Sequence, residues 1–261
     1  MSALPAVATD APPAQPPLCI DCDGTLLHTD LLHEALLLLV KQSPRSLLSL
    51  PAWLAQGKAF LKARLAERVR FDWASLPYRE SVLELLRTAR AEGRRTVLAT
   101  ASPKPWAEAI ATHLGLFDDV VATEGSVNLS GAHKADRLAA LLGEHGFDYA
   151  GNDRADLPVW RRAHRAIVVS PSARLVRRAQ AASGGVPLTL AAPRPGLLDI
   201  TRALRLHQWL KNLLVLVPLA AGYHTATPQR LADGEIAFFA FGLCASAVYL
   251  LNGLLDLRAG P

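Results

Sequence analysis

Leu18-Cys19-Ile20-Asp21-Cys22-Asp23-Gly24-Thr25-Leu26-Leu27 is the stretch on which the organisation of the chain turns. An apolar run meets an aspartate, and a second aspartate follows two residues later with glycine and threonine behind it. The pattern predicts a buried strand from Leu18 to Cys22 that ends in a tight turn. A strand's period of two aims the Asp21 and Asp23 carboxylates into one space. Such a pair can divide labour: one carboxylate attacks an electrophile and the other gives and takes a proton, while a divalent cation relieves their mutual repulsion. The same letters also spell an ordinary Asp-Gly turn. Their chemistry therefore depends on what else arrives beside them.

Downstream, the hydrophobic pattern alternates. Residues 31–70 hold Leu-rich runs broken by Pro44 and Pro51, then Lys and Arg at helical spacing from Lys58 to Arg70, predicting a few short helices. A helix follows over Tyr78 to Glu92, with Val82, Leu85, Leu86 and Ala89 as its apolar stripe and Gly93 as its stop. Strands are predicted at Thr96 to Ala99, Asp119 to Ala122, Phe147 to Ala150 and Ala166 to Val169. Helices Trp106 to Leu114, Ala135 to Leu142 and Leu157 to Ala163 separate them. A βα series of this kind predicts an α/β fold, a parallel sheet with helices on both faces, which binds ligands beyond the carboxyl ends of its strands. Thr100 with Ala101 and Ser102 closes one predicted strand, Lys134 precedes a helix, and Gly151, Asn152, Asp153 and Asp156 follow another strand. A nucleophile, a hydroxyl, a cation and an acidic cluster thus reach one crevice.

These four stretches resemble the motifs of the haloacid dehalogenase (HAD) superfamily of phosphohydrolases over about residues 18 to 180. The first motif looks like Asp21 to Thr25, the second Thr100, the third Lys134, and the fourth GNDRAD from Gly151 to Asp156. The resemblance implies a Rossmann-like domain over residues 18–182, with a helical cap inserted at about residues 31–70. It implies a phosphatase in which Asp21 takes the phosphoryl group and Asp23 serves as acid and base. Thr100 and Lys134 would hold phosphoryl oxygens, with Gly24, Thr25, Ala101 and Ser102 around the substrate. Mg²⁺ would lie among Asp21, Asp23, Asn152, Asp153 and Asp156. The pattern departs at Asn152, where the family has aspartate, so less charge faces a metal. Arg64, Arg68 and Arg70 of the cap are candidates to meet an anionic substrate, although a solvated basic helix face would look the same.

Composition bounds the rest. With 261 residues the chain has room for one large domain or two modest ones, and 51% apolar with 20% charged residues excludes a disordered chain or a coiled coil. Cys19, Cys22 and Cys244 provide neither a disulfide framework nor a metal site and favour a reducing compartment. Lys and Arg exceed Asp and Glu by 28 to 23, a balance suited to phosphate-bearing partners or an anionic membrane surface. The basic residues are spread over several helices without interleaved aromatics, which argues against nucleic acid. A mean hydropathy of +0.19 is high for a soluble domain. Its source is the carboxyl-terminal part. After an Ala- and Pro-rich tail over residues 1–17 and a linker at residues 183–200, Ile236 to Leu255 runs for 20 residues without a charge, about 30 Å if helical. A second, shorter apolar run covers Leu213 to Tyr223. Arg194, Arg202, Arg205 and Lys211 precede the pair, so a transmembrane hairpin would leave the large domain in the cytoplasm.

Residues 205–219 (RLHQWLKNLLVLVPL) and 248–257 (VYLLNGLLDL) resemble the start of UbiA-type membrane prenyltransferases. Lys211 and Asn212 lie in the first stretch; Asn252 and Asp256 match that family's first aspartate-rich motif, whereas Gly253 and Gly260 stand where it has carboxylates. Residues 201–261 then read as a partial prenyltransferase region, truncated after its first hairpin, without a complete site for transfer. The expectation is a Mg²⁺-dependent phosphomonoesterase tethered to the inner membrane, acting on a phosphorylated small molecule, a phosphorylated sugar or a polyprenyl phosphate. Two alternatives stand beside it: a prenyltransferase-family membrane protein with an auxiliary HAD domain, and a phosphate-binding module disabled by Asn152.

Overall fold

The computed structural model describes residues 15–125, 128–170, 172–190 and 227–256. The chain divides into two compact units, Met1–Ala192 and Pro193–Pro261. In the first, six parallel strands form one sheet: β1 (Leu18–Ile20), β2 (Thr96–Pro103), β3 (Asp119–Thr123), β4 (Asp148–Gly151), β5 (Arg165–Val169) and β6 (Leu188–Leu190), in spatial order 3-2-1-4-5-6. The chain moves outward from β1 to β3, then returns to lay β4 against the other side of β1. The carboxyl ends of β1 and β4 therefore flank the switch point, the place where open α/β sheets receive ligands.

Among the described residues, eight helices accompany the sheet: α1 (Leu31–Gln42), α2 (Leu50–Ala55), α3 (Lys58–Arg68), α4 (Glu80–Ala91), α5 (Lys104–Leu114), α6 (Ala132–Leu142), α7 (Leu157–Arg162) and α8 (Ala173–Ser183). The strands sort their side chains by parity, as a pleat requires. Leu18, Ile20, Leu98, Ile167 and Val169 enter one core, together with α4, α5 and the inserted helices. Cys19, Val97, Ala99, Tyr149, Ala166 and Val168 enter the other, beneath α6, α7 and α8. Both faces are dry, which explains strands that read as continuous apolar runs rather than alternating ones.

A helical insert follows β1, made of α1, a 3-10 turn at Pro44–Ser49, α2 and α3. Its Leu39, Leu61 and Leu65 are buried in the same core as Leu18, so it is packed onto the sheet domain rather than standing apart. Two strand ends differ from expectation by more than one residue. Strand β2 runs four residues past Ala99, to Pro103, and β1 stops at Ile20, two residues before Cys22. In addition, Leu188–Leu190 pairs with β5 as an edge strand inside the stretch read as a linker. Its Gly and Pro neighbours masked a segment whose pairing depends on a partner distant in sequence.

In the second unit, α9 (Pro228–Asp256) carries the apolar run Ile236 to Leu255. Ile236, Phe239, Phe241, Leu243 and Val248 of this helix are exposed. Among the described residues no helix is long and apolar enough to cross a membrane. The other arm of the expected hairpin, Leu213 to Tyr223, lies outside the described residues, as do Lys211 and Asn212. Asn252 and Asp256 fall on the α9 backbone, and their side chains are also outside the description.

Candidate active site

After β1 the chain turns sharply. Leu26 N–H donates to the Asp21 carbonyl and Leu27 N–H to the Cys22 carbonyl, closing one wide helical turn over Cys22–Leu26. Gly24 sits in that turn at φ +74°, in the left-handed region, and a Cβ there would stand 2.2 Å from the Asn152 amide nitrogen. Only glycine allows both the conformation and the approach. Arg79, just before α4, holds the turn from behind through the carbonyls of Thr25 (3.1 Å) and Gly24 (3.2 Å). Asp21 and Asp23 do line the same cleft. The turn brings them there, however, because the strand has already ended and its pleat no longer aims side chains.

Asp21 lies at the floor. Lys134 of α6 is 3% exposed and extends its ammonium to Asp21 Oδ1 at 2.7 Å and to the Tyr149 hydroxyl at 2.9 Å. The Tyr149 hydroxyl in turn donates to Asp156 Oδ1 at 2.8 Å. Asp156 Oδ2 accepts the backbone N–H groups of Asn152 and Asp153, both at 3.0 Å. Gly151 permits this loop to close, since a Cβ there would stand 2.5 Å from Asp156 Oδ2. A continuous buried network therefore runs from β1 through α6 and β4 to the loop after β4. Burial pushes the Asp21 carboxyl up to about 7, against the pull of Lys134, while Asp156 and Asp23 push the same way as burial. Lys134 is held above its ordinary value by Asp21 and Asp156, which outweigh its own burial.

Asp23 occupies the other side of the floor. Its Oδ1 accepts from Leu31 N–H at the start of α1 (2.9 Å) and its Oδ2 from the Ser102 hydroxyl (2.8 Å). Burial raises its carboxyl above the usual range, as does the charge on Asp30; Lys62 and the two hydrogen bonds oppose them. An acid so held retains a proton more readily than a solvated aspartate, as a proton donor requires.

The remaining expected residues have definite places. Thr100 is buried and its hydroxyl oxygen accepts from Ser102 N–H at 3.0 Å. Ala101 lines the cleft. Thr25 is fully buried and its hydroxyl donates to Asn152 Oδ1 (3.1 Å), so it locks two loops together instead of facing a substrate. Asp153 caps the short turn Arg154–Asp156 by accepting from Arg154 N–H, and Asp156 is occupied by its three hydrogen bonds. Among the described residues no group of three or more His, Cys, Asp or Glu is arranged to hold a metal. The cap arginines do not line the cleft. Arg64 pairs with Glu67 and lies over Phe60, Arg68 pairs with Glu67 and lies over Trp53, and the Arg70 backbone is tied to Gln42. Lysines of the same helix, Lys58 and Lys62, line it instead.

With the carboxylate, the cation and the acid gathered at the switch point, comparison with known proteins is decisive. The model of the haloacid dehalogenase-like hydrolase family matches residues 18–161. The chain belongs to that family. Among curated relatives, this chain is 39% identical over 246 residues to an uncharacterized protein, y4nM, of Sinorhizobium fredii, a match covering 93% of this chain and 47% of the relative. It is also 47% identical over 70 residues to a decaprenyl-phosphate phosphoribosyltransferase of Corynebacterium glutamicum, 26% of this chain and 21% of that protein. The chain thus spans about half the length, or less, of these relatives. Its fold is similar to the crystal structure of a protein of unknown function from Bordetella pertussis Tohama I, with a TM-score of 0.52 and 18% identity, over 68% of this chain and 99% of that one.

Several residues that shape the cleft carry no local signal. Arg79 and Tyr149 read in sequence as a helix-start cation and a strand aromatic, and Lys62 as one basic residue among many on α3. Each acquires its role from a contact 15 to 55 residues away along the chain. Ser102 was legible only as a neighbour of Thr100; the extension of β2 is what brings its hydroxyl to Asp23.

Proposed function

We propose that the protein is a Mg²⁺-dependent phosphomonoesterase that works through an aspartyl-phosphate on Asp21, with residues 201–261 tethering it to a membrane. The observation that carries this reading is the 2.7 Å contact between Lys134 and Asp21 at the carboxyl end of the central strand, with Asp23 on the turn beside it. In the first step an Asp21 oxygen attacks phosphorus, the ester P–O bond breaks, and Asp23 delivers its proton to the leaving oxygen. Water then attacks the same phosphorus and gives a proton to the Asp23 carboxylate; inorganic phosphate departs and Asp21 is restored. Lys134 and the Thr100 hydroxyl suit the phosphoryl oxygens, where positive charge and hydrogen bonds offset charge that builds in the transition state.

The oxygen donors that line the cleft with Asp21 are hard and of low total charge: Asp23, Asp153 and the side chain of Asn152, whose Oδ1 also accepts from Thr25. Such a set fits Mg²⁺, which keeps several waters and takes one or two carboxylates. When bound, the ion would supply charge to balance the phosphoryl group. Replacing the family's aspartate by Asn152 lowers the attraction and predicts either weaker metal affinity or participation by Asp153.

The decisive test measures phosphate release by the full chain with Mg²⁺. Asp21→Asn is expected to lose at least about a thousandfold in kcat, since it removes the nucleophile; chelation of metal should also abolish release. Equal rates for wild type and variant would overturn the reading in favour of a phosphate-binding module.

For the tether, support comes from the uncharged run on α9, the exposure of its apolar side chains, and the 70-residue match to a decaprenyl-phosphate phosphoribosyltransferase. That match also favours a polyprenyl-linked phosphoribose among substrates, with a soluble sugar phosphate as the other choice. Release from soluble sugar phosphates but never from the lipid-linked one would remove that coupling. The same match sustains a second reading, in which the hydrolase domain is auxiliary to a UbiA-type prenyltransferase. Transferase activity in a longer form of the protein, unaffected by Asp21→Asn, would favour it.

A further inference from the structure

Lys62 lies in the middle of α3 between the buried Leu61 and the buried Leu65, and is itself only 8% exposed. Its ammonium donates to the Ala101 carbonyl at 3.1 Å, an oxygen that already accepts from the Thr123 hydroxyl at 3.0 Å. An ammonium has three hydrogens to place, and a buried charge is costly unless paired. Among the described residues Lys62 has no other hydrogen-bond acceptor and no carboxylate within ion-pair distance. The nearby carboxylates are engaged elsewhere: both Asp23 oxygens accept from Leu31 N–H and Ser102, and Asp30 Oδ1 accepts from Leu32 N–H. Lys134, by contrast, has two oxygens bonded and a third at 3.9 Å. Lys62 is thus a buried ammonium with one hydrogen-bond acceptor, lining a cleft of about 600 Å³ with Asp21 and Asp23, on whose carboxyl its charge also acts.

The cleft around it has a consistent character. Lys58, one helical turn earlier on the same face, and His33 of α1 line the same side. On the opposite wall the Asn128 side chain donates to Ser130 at 3.0 Å, while its buried Oδ1 has no partner. Leu32 is the one large apolar side chain lining the cleft among the described residues. Such a lining suits a small polar molecule and offers nothing to a lipid tail.

We propose that Lys62 binds a second anionic group of the substrate, so that the site selects phosphomonoesters whose polar head carries another negative charge. The inference rests on the phosphomonoesterase reading and narrows it. Two sources share this chemistry: a soluble sugar bisphosphate, and a lipid-linked phosphoribose whose second charge is the phosphodiester joining sugar to lipid.

The test uses the full chain in detergent with Mg²⁺ and compares wild type, Lys62→Gln and Lys62→Arg. Phosphate release is followed from p-nitrophenyl phosphate and glycerol phosphate, which lack a second anion, from a pentose bisphosphate, and from polyprenyl-phosphate-linked phosphoribose. Lys62→Gln should raise KM for the second-anion substrates at least tenfold more than for the other two, with Lys62→Arg recovering most of the difference. The two second-anion arms identify the source. Equal losses for both classes would make Lys62 a positioning residue for the β2 end and overturn the proposal, as would no loss. Equilibrium binding of the pentose bisphosphate to Asp21→Asn, with and without Lys62→Gln, separates the two hypotheses. If wild type hydrolyses nothing but binding weakens at least tenfold, the subsite stands while the phosphatase reading falls. If the bisphosphate fails to bind, or binds both forms equally, the subsite falls.

Discussion

The two walls of the cleft are built differently. On the sheet side, Asp21, Lys134, Tyr149 and Asp156 are buried and linked by hydrogen bonds of 2.7 to 2.9 Å, and the network ends on backbone N–H groups of the loop after β4. On the insert side, the cleft is faced by exposed Lys58 and His33 and by the buried, sparsely bonded Lys62. A fully bonded polar network in a low-dielectric interior cannot adjust without leaving a group unpaired, so it holds geometry fixed for chemistry. Side chains with unused donors can accept whatever the ligand brings. The difference teaches that fixed geometry and spare hydrogen-bonding capacity make opposite demands on a site, and that one cleft can hold both on different walls.

The largest effect should come from breaking the sheet-side network at its cation. Lys134→Met leaves Asp21 and Asp156 buried without their shared partner; removing one member of a buried pair typically costs about 3–5 kcal/mol, and phosphatase activity should fall with it. Urea unfolding reports the first and phosphate release the second. A variant as stable as wild type would show that the network is not what holds this wall.

Next in size is the packing of the insert. Leu65 is fully buried in the core that also contains Leu18 and Ile20. Leu65→Ala should cost about 2–5 kcal/mol and shift a single cooperative transition. A separate early transition, resolved by calorimetry, would mean instead that the insert melts on its own and that the two walls are independent bodies.

Tyr149→Phe is gentler, since it deletes one hydroxyl while keeping the ring. Lys134 and Asp156 each lose one partner, an effect on the order of 1–3 kcal/mol, and the loop at Asn152 should loosen. Hydrogen exchange at the Asn152 and Asp153 amides would detect it; unchanged protection would sever the proposed link between α6 and that loop.

The smallest effect lies away from both walls and serves as the control. Asp118 accepts from Thr96 N–H at 2.8 Å and pairs with Arg90, and these bonds hold its carboxyl below the usual range, chiefly through the backbone bond. A depressed carboxyl contributes stability that is present above its unfolded value near about 4 and is lost as pH falls through the lower folded value. Asp118→Asn should therefore flatten the acid limb of a stability–pH curve slightly, with no effect on substrate choice.

Much of this was legible in the chain itself. Strands β1 to β5 stand out because both faces of a parallel sheet are covered, so their residues are apolar whatever their parity. Three of the four motif stretches could be placed at strand ends because helix and strand periods bracket them, whereas Lys134 stands inside α6 rather than before it. Strand β6 was hidden, since a three-residue edge strand gains its identity from pairing with β5. The same holds for the cap: Arg64 and Arg68 looked as able as Lys62 to reach a ligand, and their positions on one helix differ only by rotation about its axis. Which of them points into the cleft depends on how α3 packs against β2.

Local periodicity and the order of the chemical groups are properties of neighbours in the chain, and they determined the class of fold, the crevice and the residues at its floor. Long-range contacts are not encoded in any short window. Only the folded arrangement decided that Asp156 and Thr25 serve as internal clamps, that Ser102 and Leu31 N–H hold Asp23, and that Lys62, rather than Arg64 or Arg68, lines the cleft. The physical reason is that a hydrogen bond's partner is chosen by distance in space, and the packing of helices on a sheet sets that distance.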